Sequence, residues 1–441
     1  MQVKWRLTMY SLYSSLLATL LVVGFPYWIF QMARHGKYRA GLGERLGRVP
    51  ARLLAGGSGQ RSIWIHAVSV GEVLAVAGLV TELRERFPWH RVVISTTTAT
   101  GQKLARVRFG EQNVFYFPLD FGFCVRPYLR ALRPELVIMA ETEFWPNFLR
   151  RAKSGGTKIA VVNARISDRS LPGYLRFRSW LRPVLENLDL FLAQTGEDAR
   201  RLIEIGAAAE RVHTSGNLKF DVPAPAEVPV VAQLREVLKQ AGADPVLVCG
   251  STMEGEEPLL MRGFESVLAS HPKAVMVLAP RHPERFDKVA ALLEQLGGKY
   301  WRRSEWRGEA VVGGVFLLDS IGELASAYSL AEIAFVGGSL VSHGGHNILE
   351  PALFGVATIV GPSFENFRDI VALFQQNQAV RIAGAAELPL VFMELADSVA
   401  QRRELGQRAL AALRQQMGAT ERTLTALAEL MPDGAPARTN F

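Results

Sequence analysis

Short apolar runs alternate with helical stretches through most of this chain. Runs that are apolar on both faces and separated by helices are typical of a doubly wound parallel sheet. In the front half the pattern predicts strands at 63–67, 92–95, 113–117, 136–140, 158–162 and 188–193. It predicts helices between them at 73–86, 101–109, 123–132, 145–152 and 197–205.

The alternation restarts after a proline-rich segment, 221–229, which is typical of a linker. Strands are predicted at 246–249, 274–279, 315–318, 331–336 and 356–360, with helices at 256–270, 283–296 and 348–354. Two Rossmann-like halves are expected to form a cleft where ligands bind. The predicted boundaries are an N-terminal anchor at 1–50, a first domain at 51–221, a linker at 222–244, a second domain with mostly helical end at 245–431, and a disordered tail at 432–441.

An uncharged stretch, 7–33, precedes the first predicted strand. It is long enough to cross a bilayer core of about 30 Å. Basic residues flank it more heavily on the C-terminal side, where the cytoplasm and the rest of the chain are expected. A helix lying in the interface is the alternative, because Ser and Thr dilute the apolar residues. The stretch is too long, and lacks the cleavage site, expected of a signal peptide. The flanking basic residues are Lys4 and Arg6 before the stretch, and Arg34, Lys37, Arg39, Arg45 and Arg48 after it.

The 441 residues are enough for two or three domains, and the net charge of +8 favours anionic partners. The positive charge is spread along the chain without a nucleic-acid-binding signature, so an acidic membrane surface and a phosphorylated substrate are the expected partners. Cys124 and Cys249 are far apart and lie in or beside apolar runs. They are predicted to be buried free thiols.

The segment 337–351, GGSLVSHGGHNILEP, follows a predicted buried strand and precedes a short predicted helix. In such a loop, backbone N–H groups can face an anion. We interpret it as a nucleotide or phosphate pocket; the alternative is an ordinary glycine-rich turn.

Charged residues stand at the ends of other predicted strands, where α/β folds place their chemistry. Glu72 begins a helix after the first strand and is a candidate general base. The alternative is a glutamate at a helix N-terminus with only an electrostatic role. Glu141 and Glu143 follow another strand, and at most one of them should face the cleft. Lys219 could meet an anionic substrate or be a surface cation. Arg281 follows a strand in the second half, where a guanidinium could bind a phosphate.

Together these motifs resemble the 3-deoxy-D-manno-octulosonic acid (Kdo) transferases of lipopolysaccharide synthesis, in the same order over nearly the whole chain. The motifs are GERLG at 43–47, the loop 66–72, ETEFWPN at 141–147, NAR at 163–165, GNLKFD at 216–221, PRHPERF at 280–286 and the loop 337–351.

The resemblance implies a GT-B glycosyltransferase, two Rossmann-like domains plus an N-terminal membrane helix, that moves Kdo from CMP-Kdo to the lipid A precursor (lipid IVA) at the cytoplasmic side of the inner membrane. In that family the residue matching Glu72 is the catalytic base, and those matching Glu141 and Lys219 assist the transition state. The cytidine nucleotide is held by residues matching Pro280, Arg281, Ile321, Gly322, Glu323, Asn347, Ile348, Leu349 and Glu350.

The chain contains no Asp-x-Asp motif, which is the usual metal clamp for nucleotide sugars, so we expect a metal-independent transfer without a cofactor. Two other functions are carried as alternatives. One is a GT-B enzyme that uses a UDP-sugar, and the other is a membrane-tethered protein that binds the precursor without catalysis.

Overall fold

The computed structural model describes residues 2–35, 40–54 and 60–431. The chain forms two compact units. The first unit comprises Met1–Asp221 together with Met417–Phe441, and the second comprises Val222–Gln416.

The first unit contains a seven-stranded parallel sheet in the order β3-β2-β1-β4-β5-β6-β7. Its last strand was not predicted, because β7 is only three residues long and none of them is fully buried. The strands are β1 Ser62–His66, β2 Arg91–Thr96, β3 Val114–Tyr116, β4 Pro134–Ala140, β5 Lys158–Ala164, β6 Leu190–Ala193 and β7 Val212–Thr214.

The second unit also contains a seven-stranded parallel sheet, in the order β10-β11-β9-β8-β12-β13-β14. The two edge strands, β10 and β14, are short and were not predicted. The strands are β8 Val246–Thr252, β9 Val275–Pro280, β10 Tyr300–Arg302, β11 Gly314–Leu317, β12 Ile333–Val336, β13 Ala357–Val360 and β14 Arg381–Ile382.

Helices connect the strands of both sheets. The predicted helix 73–86 is two helices that meet at Val76. In chain order the helices are α1 Gln2–His35, α2 Leu42–Arg45, α3 Ala51–Leu54, α4 Val70–Ala75, α5 Ala77–Arg86, α6 Ala99–Phe109, α7 Gly122–Leu132, α8 Pro146–Ser154, α9 Leu171–Arg176, α10 Arg178–Leu185, α11 Gly196–Glu204, α12 Pro229–Ala241, α13 Glu257–Ser270, α14 Phe286–Leu296, α15 Leu324–Ala327, α16 Leu349–Leu353, α17 Arg368–Gln376, α18 Leu388–Asp397, α19 Val399–Gln416 and α20 Ala419–Leu430.

Both faces of each sheet are covered, which explains why the strands read as continuous apolar runs. In β1, for example, Trp64 packs into the core on one face, while Ile63 and Ile65 pack into the core on the other. This alternation follows from the two-residue period of a strand.

Two segments differ from the predicted domain boundaries. The proposed linker 222–244 contains α12, whose Val231, Leu234 and Leu238 lie in the core of the second unit. Pro229 occupies the first turn of this helix, where proline is favoured, so it does not interrupt the structure. The predicted second domain, 245–431, includes α20, but Leu424 and Leu427 of this helix pack in the core of the first unit. A helical apolar pattern does not reveal which sheet it will cover.

Helix α1 includes a segment, Thr8–Trp28, that is long and apolar enough to cross a membrane. Lys37, Arg39 and the predicted tail 432–441 lie outside the described residues. Cys124 and Cys249 are both buried and free, as predicted.

In each sheet, strands are added first on one side of the first strand and then on the other side. The position between the two sides is a topological switch point, and ligands of such folds bind there, beyond the carboxyl ends of the strands. The switch lies between β1 and β4 in the first unit and between β8 and β12 in the second. The loops that follow these four strands include Glu72, Glu141 and the glycine-rich loop.

Candidate functional site

Glu72 is held in a fixed orientation at the start of α4. Its backbone N–H donates to the hydroxyl of Ser69, which caps the helix at 3.4 Å. The same hydroxyl donates to one carboxylate oxygen of Glu72 at 2.8 Å, and the N–H of Val68 donates to the other at 2.7 Å. The residue is only 7% exposed. The reciprocal cap therefore fixes a nearly buried carboxylate directly beyond β1.

Burial raises the pKa of Glu72 from 4.5 to about 7. The hydrogen bonds from Val68 and Ser69 lower the pKa, and the negative charges of Glu141 and Glu143 raise it. Burial also raises the pKa of Glu143, and Glu141 adds to that rise. The three glutamates thus form one acidic cluster in which Glu72 can take up a proton near neutral pH.

Glu141 stands at the end of β4 in the left-handed region of backbone conformation, with φ of 56°. Its N–H donates to the carbonyl of Val162 at 2.9 Å. The Nζ of Lys219 lies 3.5 Å from its carboxylate, and both side chains are about one-third exposed. The side-chain carbonyl of Asn163 accepts from the N–H of Leu218 at 3.0 Å, which positions the 3₁₀ turn that carries Lys219. The structure therefore brings Glu72, Glu141 and Lys219 into one site.

His66 ends β1 and is completely buried. Its Nδ1 lies 3.0 Å from the hydroxyl of Ser95, and its ring stacks on Phe117 with 4.0 Å between centroids. Burial lowers its pKa to about 3, so the imidazole is neutral at physiological pH. His66 packs beneath the loop of Glu72 without adding a charge.

The glycine-rich loop of the second unit is organised around the buried carboxylate of Glu256, which lies just before α13. This carboxylate accepts four backbone N–H bonds of 2.7–2.9 Å. The donors are Met253, Gly338, Ser339 and Leu340. A Cβ added to Gly337 would come within 2.5 Å of the carbonyl oxygen of Ser251, so the loop needs glycine there. The loops after β8 and β12 are thereby joined at the switch point.

Arg281 follows β9 and Pro280, with its N–H donating to the carbonyl of Thr252 at 3.0 Å. Its side chain is exposed, and its positive charge affects the pKa values of two neighbouring residues. Burial raises the pKa of Glu350, and Arg281 lowers it. Burial lowers the pKa of His346 to about 4, and Arg281 lowers it further. Arg281 therefore lies beside the glycine-rich loop with its guanidinium open to solvent.

Residues 347–350 form the turn into α16. The side-chain carbonyl of Asn347 accepts from the N–H of Leu349 at 3.1 Å, and its amide lies 3.5 Å from Glu350. Ile348 and Leu349 are buried. The two apolar side chains anchor this turn, while Asn347 and Glu350 remain partly exposed on the side where Arg281 lies.

Residues 321–323, which are predicted to contact the cytidine nucleotide, are mostly exposed to solvent. Ile321 is 78% exposed, and Gly322 has φ of 88° with open space around it. The carboxylate of Glu323 accepts two bonds of 3.0 Å from Arg303 and one of 2.5 Å from Ser320. Since the Glu323 side chain is committed to these partners, a ligand would meet the backbone of this turn.

Sequence reasoning missed the buried carboxylates that support these loops. Glu256 was not singled out, because a glutamate before a helix looks like an ordinary helix-start residue. The buried Glu257 forms a bidentate pair with Arg285 at 2.8–2.9 Å, also without a signal in the pattern. In the first unit, the buried Asp120 accepts the N–H groups of Asn147 and Phe148 at the start of α8.

No group of three or more His, Cys, Asp or Glu side chains is arranged to hold a metal ion within the described ranges 2–35, 40–54 and 60–431.

Comparison with known proteins gives consistent matches. A family model described as 3-deoxy-D-manno-octulosonic-acid transferase (kdotransferase) matches residues 40–222. The 3-deoxy-D-manno-octulosonic acid transferase of Bordetella pertussis is 36% identical over 420 residues, covering 91% of this chain and 94% of that protein. The enzyme of the same name from Haemophilus influenzae is 34% identical over 371 residues, covering 83% and 86%.

Two solved structures are also similar to this chain. The C-terminal CMP-Kdo binding domain of WaaA from Acinetobacter baumannii is 34% identical and covers 42% of this chain and 97% of its own length, with a TM-score of 0.39. The UDP-GlcNAc 2-epimerase of Neisseria meningitidis is 12% identical, covers 83% and 100%, and has a TM-score of 0.51. The latter likeness concerns the fold alone, and the predicted GT-B type of two Rossmann-like domains is confirmed. The chain belongs to the family of 3-deoxy-D-manno-octulosonic acid transferases.

Proposed function

We propose that this enzyme transfers Kdo from CMP-Kdo to the lipid A precursor (lipid IVA), with inversion, at the cytoplasmic face of the inner membrane. Family membership supports the transferase activity. The likeness to the CMP-Kdo binding domain from Acinetobacter baumannii supports the donor. The apolar helix α1 and the net charge of +8 support attachment to an anionic membrane surface that holds the acceptor.

In the proposed step, a hydroxyl of the acceptor attacks the anomeric carbon of Kdo. Glu72 takes the hydroxyl proton as the new C–O bond forms. The bond from the anomeric carbon to the phosphate oxygen breaks, and CMP leaves with that electron pair. Arg281 stabilises the negative charge that grows on the leaving phosphate.

The observation that carries this proposal is the state of Glu72. A general base works best when its pKa lies near the operating pH, and burial brings that of Glu72 to about 7. Its bonds to Ser69 and Val68 hold the carboxylate in one orientation. A purely electrostatic helix-terminal glutamate would not need burial beside two other glutamates.

The remaining predicted residues have supporting roles. Glu141 holds the ammonium group of Lys219 beside the base, where the positive charge can stabilise an anionic transition state. In the second unit, Pro280, Arg281, the backbone of 321–323 and residues 347–350 hold the cytidylate. No metal or cofactor is assigned to the step.

The direct test is a transfer assay with the purified full-length protein, CMP-Kdo generated in situ and a tetraacylated acceptor, with the products resolved by mass. We expect the acceptor mass to increase by Kdo units. Transfer from a UDP-sugar in place of CMP-Kdo would favour the alternative GT-B enzyme. Acceptor binding without any turnover would favour a non-catalytic binding protein.

The pH dependence of kcat/KM should report the ionisation of Glu72 in the free enzyme. Since the base acts when ionised, activity should rise with pH and level off above about 7. Glu143→Gln removes a neighbouring negative charge, so the carboxylate of Glu72 becomes easier to form and the acid limb should move to lower pH. The exposed Glu210→Gln is the matched control and should leave the limb in place. An acid limb near pH 4.5 in the wild type would contradict the buried base.

Arg281→Ala should weaken use of CMP-Kdo. A lost charge-assisted hydrogen bond costs about 1.5–3 kcal/mol, which corresponds to a roughly 10- to 150-fold rise in the Kd for CMP. Titration calorimetry with CMP measures it directly. Arg262→Ala, which removes an exposed arginine on α13, is the control. Equal CMP affinity in both variants would remove Arg281 from the phosphate contact.

A further inference from the structure

The N-terminal half of α1 is held on the first unit by specific contacts. Tyr10 is buried, and its hydroxyl lies 3.3 Å from the carbonyl of Pro183 in α10. The guanidinium of Arg150 lies 4.3 Å from the centroid of its ring. One turn later, the side-chain amide of Asn147 donates to the hydroxyl of Ser14 at 3.0 Å. The start of the apolar segment is thus fixed to α8 and α10.

The chain returns to the same unit directly after α1. The helix ends at His35, and by Gly41 the chain has reached α2. The carboxylate of Glu44 in α2 accepts the N–H of Tyr116 in β3 at 2.8 Å. Six residues span at most about 22 Å, which is less than the roughly 30 Å of a bilayer core. Both ends of α1 are therefore tied to the first unit.

These two attachments are incompatible with a membrane crossing in either direction. If the helix crossed with its N-terminus outside, Tyr10 and Ser14 would lie near the far interface and would draw Arg150 and the polar surface around α8 into the hydrocarbon. If it crossed with its C-terminus outside, the chain after His35 would have to return through the bilayer within six residues.

The free face of α1 is apolar. Six large side chains spaced three or four residues apart lie on the face away from Tyr10 and Ser14, and each is more than half exposed. Val22 and Phe25, on other sides of the helix, are also more than half exposed, so the later part of α1 is apolar around most of its circumference. A continuous exposed surface of this kind indicates contact with lipid or with another protein. The six are Leu12, Leu16, Leu20, Val23, Tyr27 and Phe30.

A basic and aromatic surface adjoins this helix. Helices α9 and α10 contain three arginines and no acidic residue. Glu186, directly after α10, lies 3.6 Å from Arg182. Phe177 and Trp180 are 61% and 40% exposed. Arginine beside exposed aromatic rings is the composition found at the interface of an anionic bilayer. Pro183 of α10 is buried and contacts Tyr10, so α10 packs directly against α1.

We propose that α1, α9 and α10 form one membrane-facing surface that lies flat on an anionic bilayer, with α1 embedded in the cytoplasmic leaflet without crossing it. The free apolar face of α1 contacts acyl chains, and the arginines of α9 and α10 contact lipid phosphates. This inference deepens the membrane attachment in the proposed function, but it does not depend on the transfer reaction.

Reporters fused before Met1 of the full-length chain test the topology without measuring transfer. With both ends in the cytoplasm, a green fluorescent protein fusion should be fluorescent and an alkaline phosphatase fusion should be inactive. An active phosphatase would place the N-terminus outside and would overturn the in-plane arrangement. A transfer assay on the same cells shows separately whether the proposed function holds.

Vesicle binding tests the occupant of the surface. Wild-type protein should bind vesicles with 30% phosphatidylglycerol better than pure phosphatidylcholine. Replacing Arg176, Arg178 and Arg182 by Gln should weaken that binding by roughly 100-fold, at about 1 kcal/mol for each arginine at an anionic surface. The same change at the exposed Arg86, Arg108 and Arg403 is the control for net charge. Equal losses of vesicle binding in the two variants would overturn the assignment of α9 and α10 to the membrane surface. A loss of binding seen only on vesicles that contain the acceptor would overturn it as well.

Discussion

Glu72→Gln should lower the rate of Kdo transfer by about 10²–10⁴-fold, the usual contribution of a general base. The amide keeps the shape of the side chain but cannot accept the acceptor proton. Affinity for CMP should stay within about twofold of wild type, since the nucleotide is assigned to the second unit. Single-turnover transfer and CMP titration on the same preparation measure the two quantities.

A stability measurement separates lost catalysis from lost folding. The folded carboxyl of Glu72 keeps its proton up to about pH 7, whereas its ordinary pKa is 4.5. The contribution of the Glu72 carboxyl to the free energy of unfolding therefore falls as pH rises from 4.5 to 7. The Glu72→Gln variant has no titrating group at this position and does not lose this stability. At pH 8 the glutamine variant should unfold at the same temperature as wild type or higher. Glu82→Gln, an exposed glutamate on α5, is the matched control. Near wild-type turnover in Glu72→Gln would remove Glu72 from the base role.

Glu256→Ala should destabilise the second unit by about 3–5 kcal/mol, because it leaves four buried or partly buried N–H groups without their charged acceptor. The loops after β8 and β12 would lose the carboxylate that joins them. CMP affinity should fall with stability, even though Glu256 is buried and lies beneath the loop. Thermal unfolding with and without CMP measures both effects.

Glu254→Gln is the control for this change, since Glu254 is exposed on the same loop. It should leave the unfolding temperature and CMP affinity unchanged. If Glu256→Ala kept the wild-type stability, the glycine-rich loop would have to be held by its other contacts, such as the bond from the N–H of Gly361 to the hydroxyl of Ser339.

The parts of the site that follow from the sequence are those tied to strand ends. Glu72 and Glu141 each come directly after a buried apolar run, and parallel strands present their carboxyl ends at one edge. That reasoning places both residues at the same edge of a sheet, whereas the pairing of β1 with β4 that brings them close is known only from the structure. The structure adds the reason for the two glycines, since a Cβ at 337 would meet the carbonyl of Ser251 and residue 338 has a φ of 68°.

The parts that do not follow depend on contacts distant in sequence. Glu256 binds amides about 80 residues away. The pairing of Lys219 with Glu141 depends on the turn held by Asn163. The prolines of 221–229 indicated a linker, yet Pro229 begins a helix of the second unit. Such contacts are set by tertiary packing, for which a single sequence has no local signal.

The return of α20 to the first unit has a consequence for biosynthesis. Asp221 is the last residue of the first segment of that unit, and its carboxylate accepts the N–H groups of Gly418 and Thr420. These bonds connect the point where the chain leaves the unit to the point where it returns. The apolar groove covered by Leu424 and Leu427 stays open until the ribosome has made everything between. At about 5–20 residues per second, the roughly 200 intervening residues take about 10–40 s. During that interval the apolar surface of the nascent first unit is exposed and can bind chaperones. A premature stop codon before α20 would leave this surface permanently uncovered.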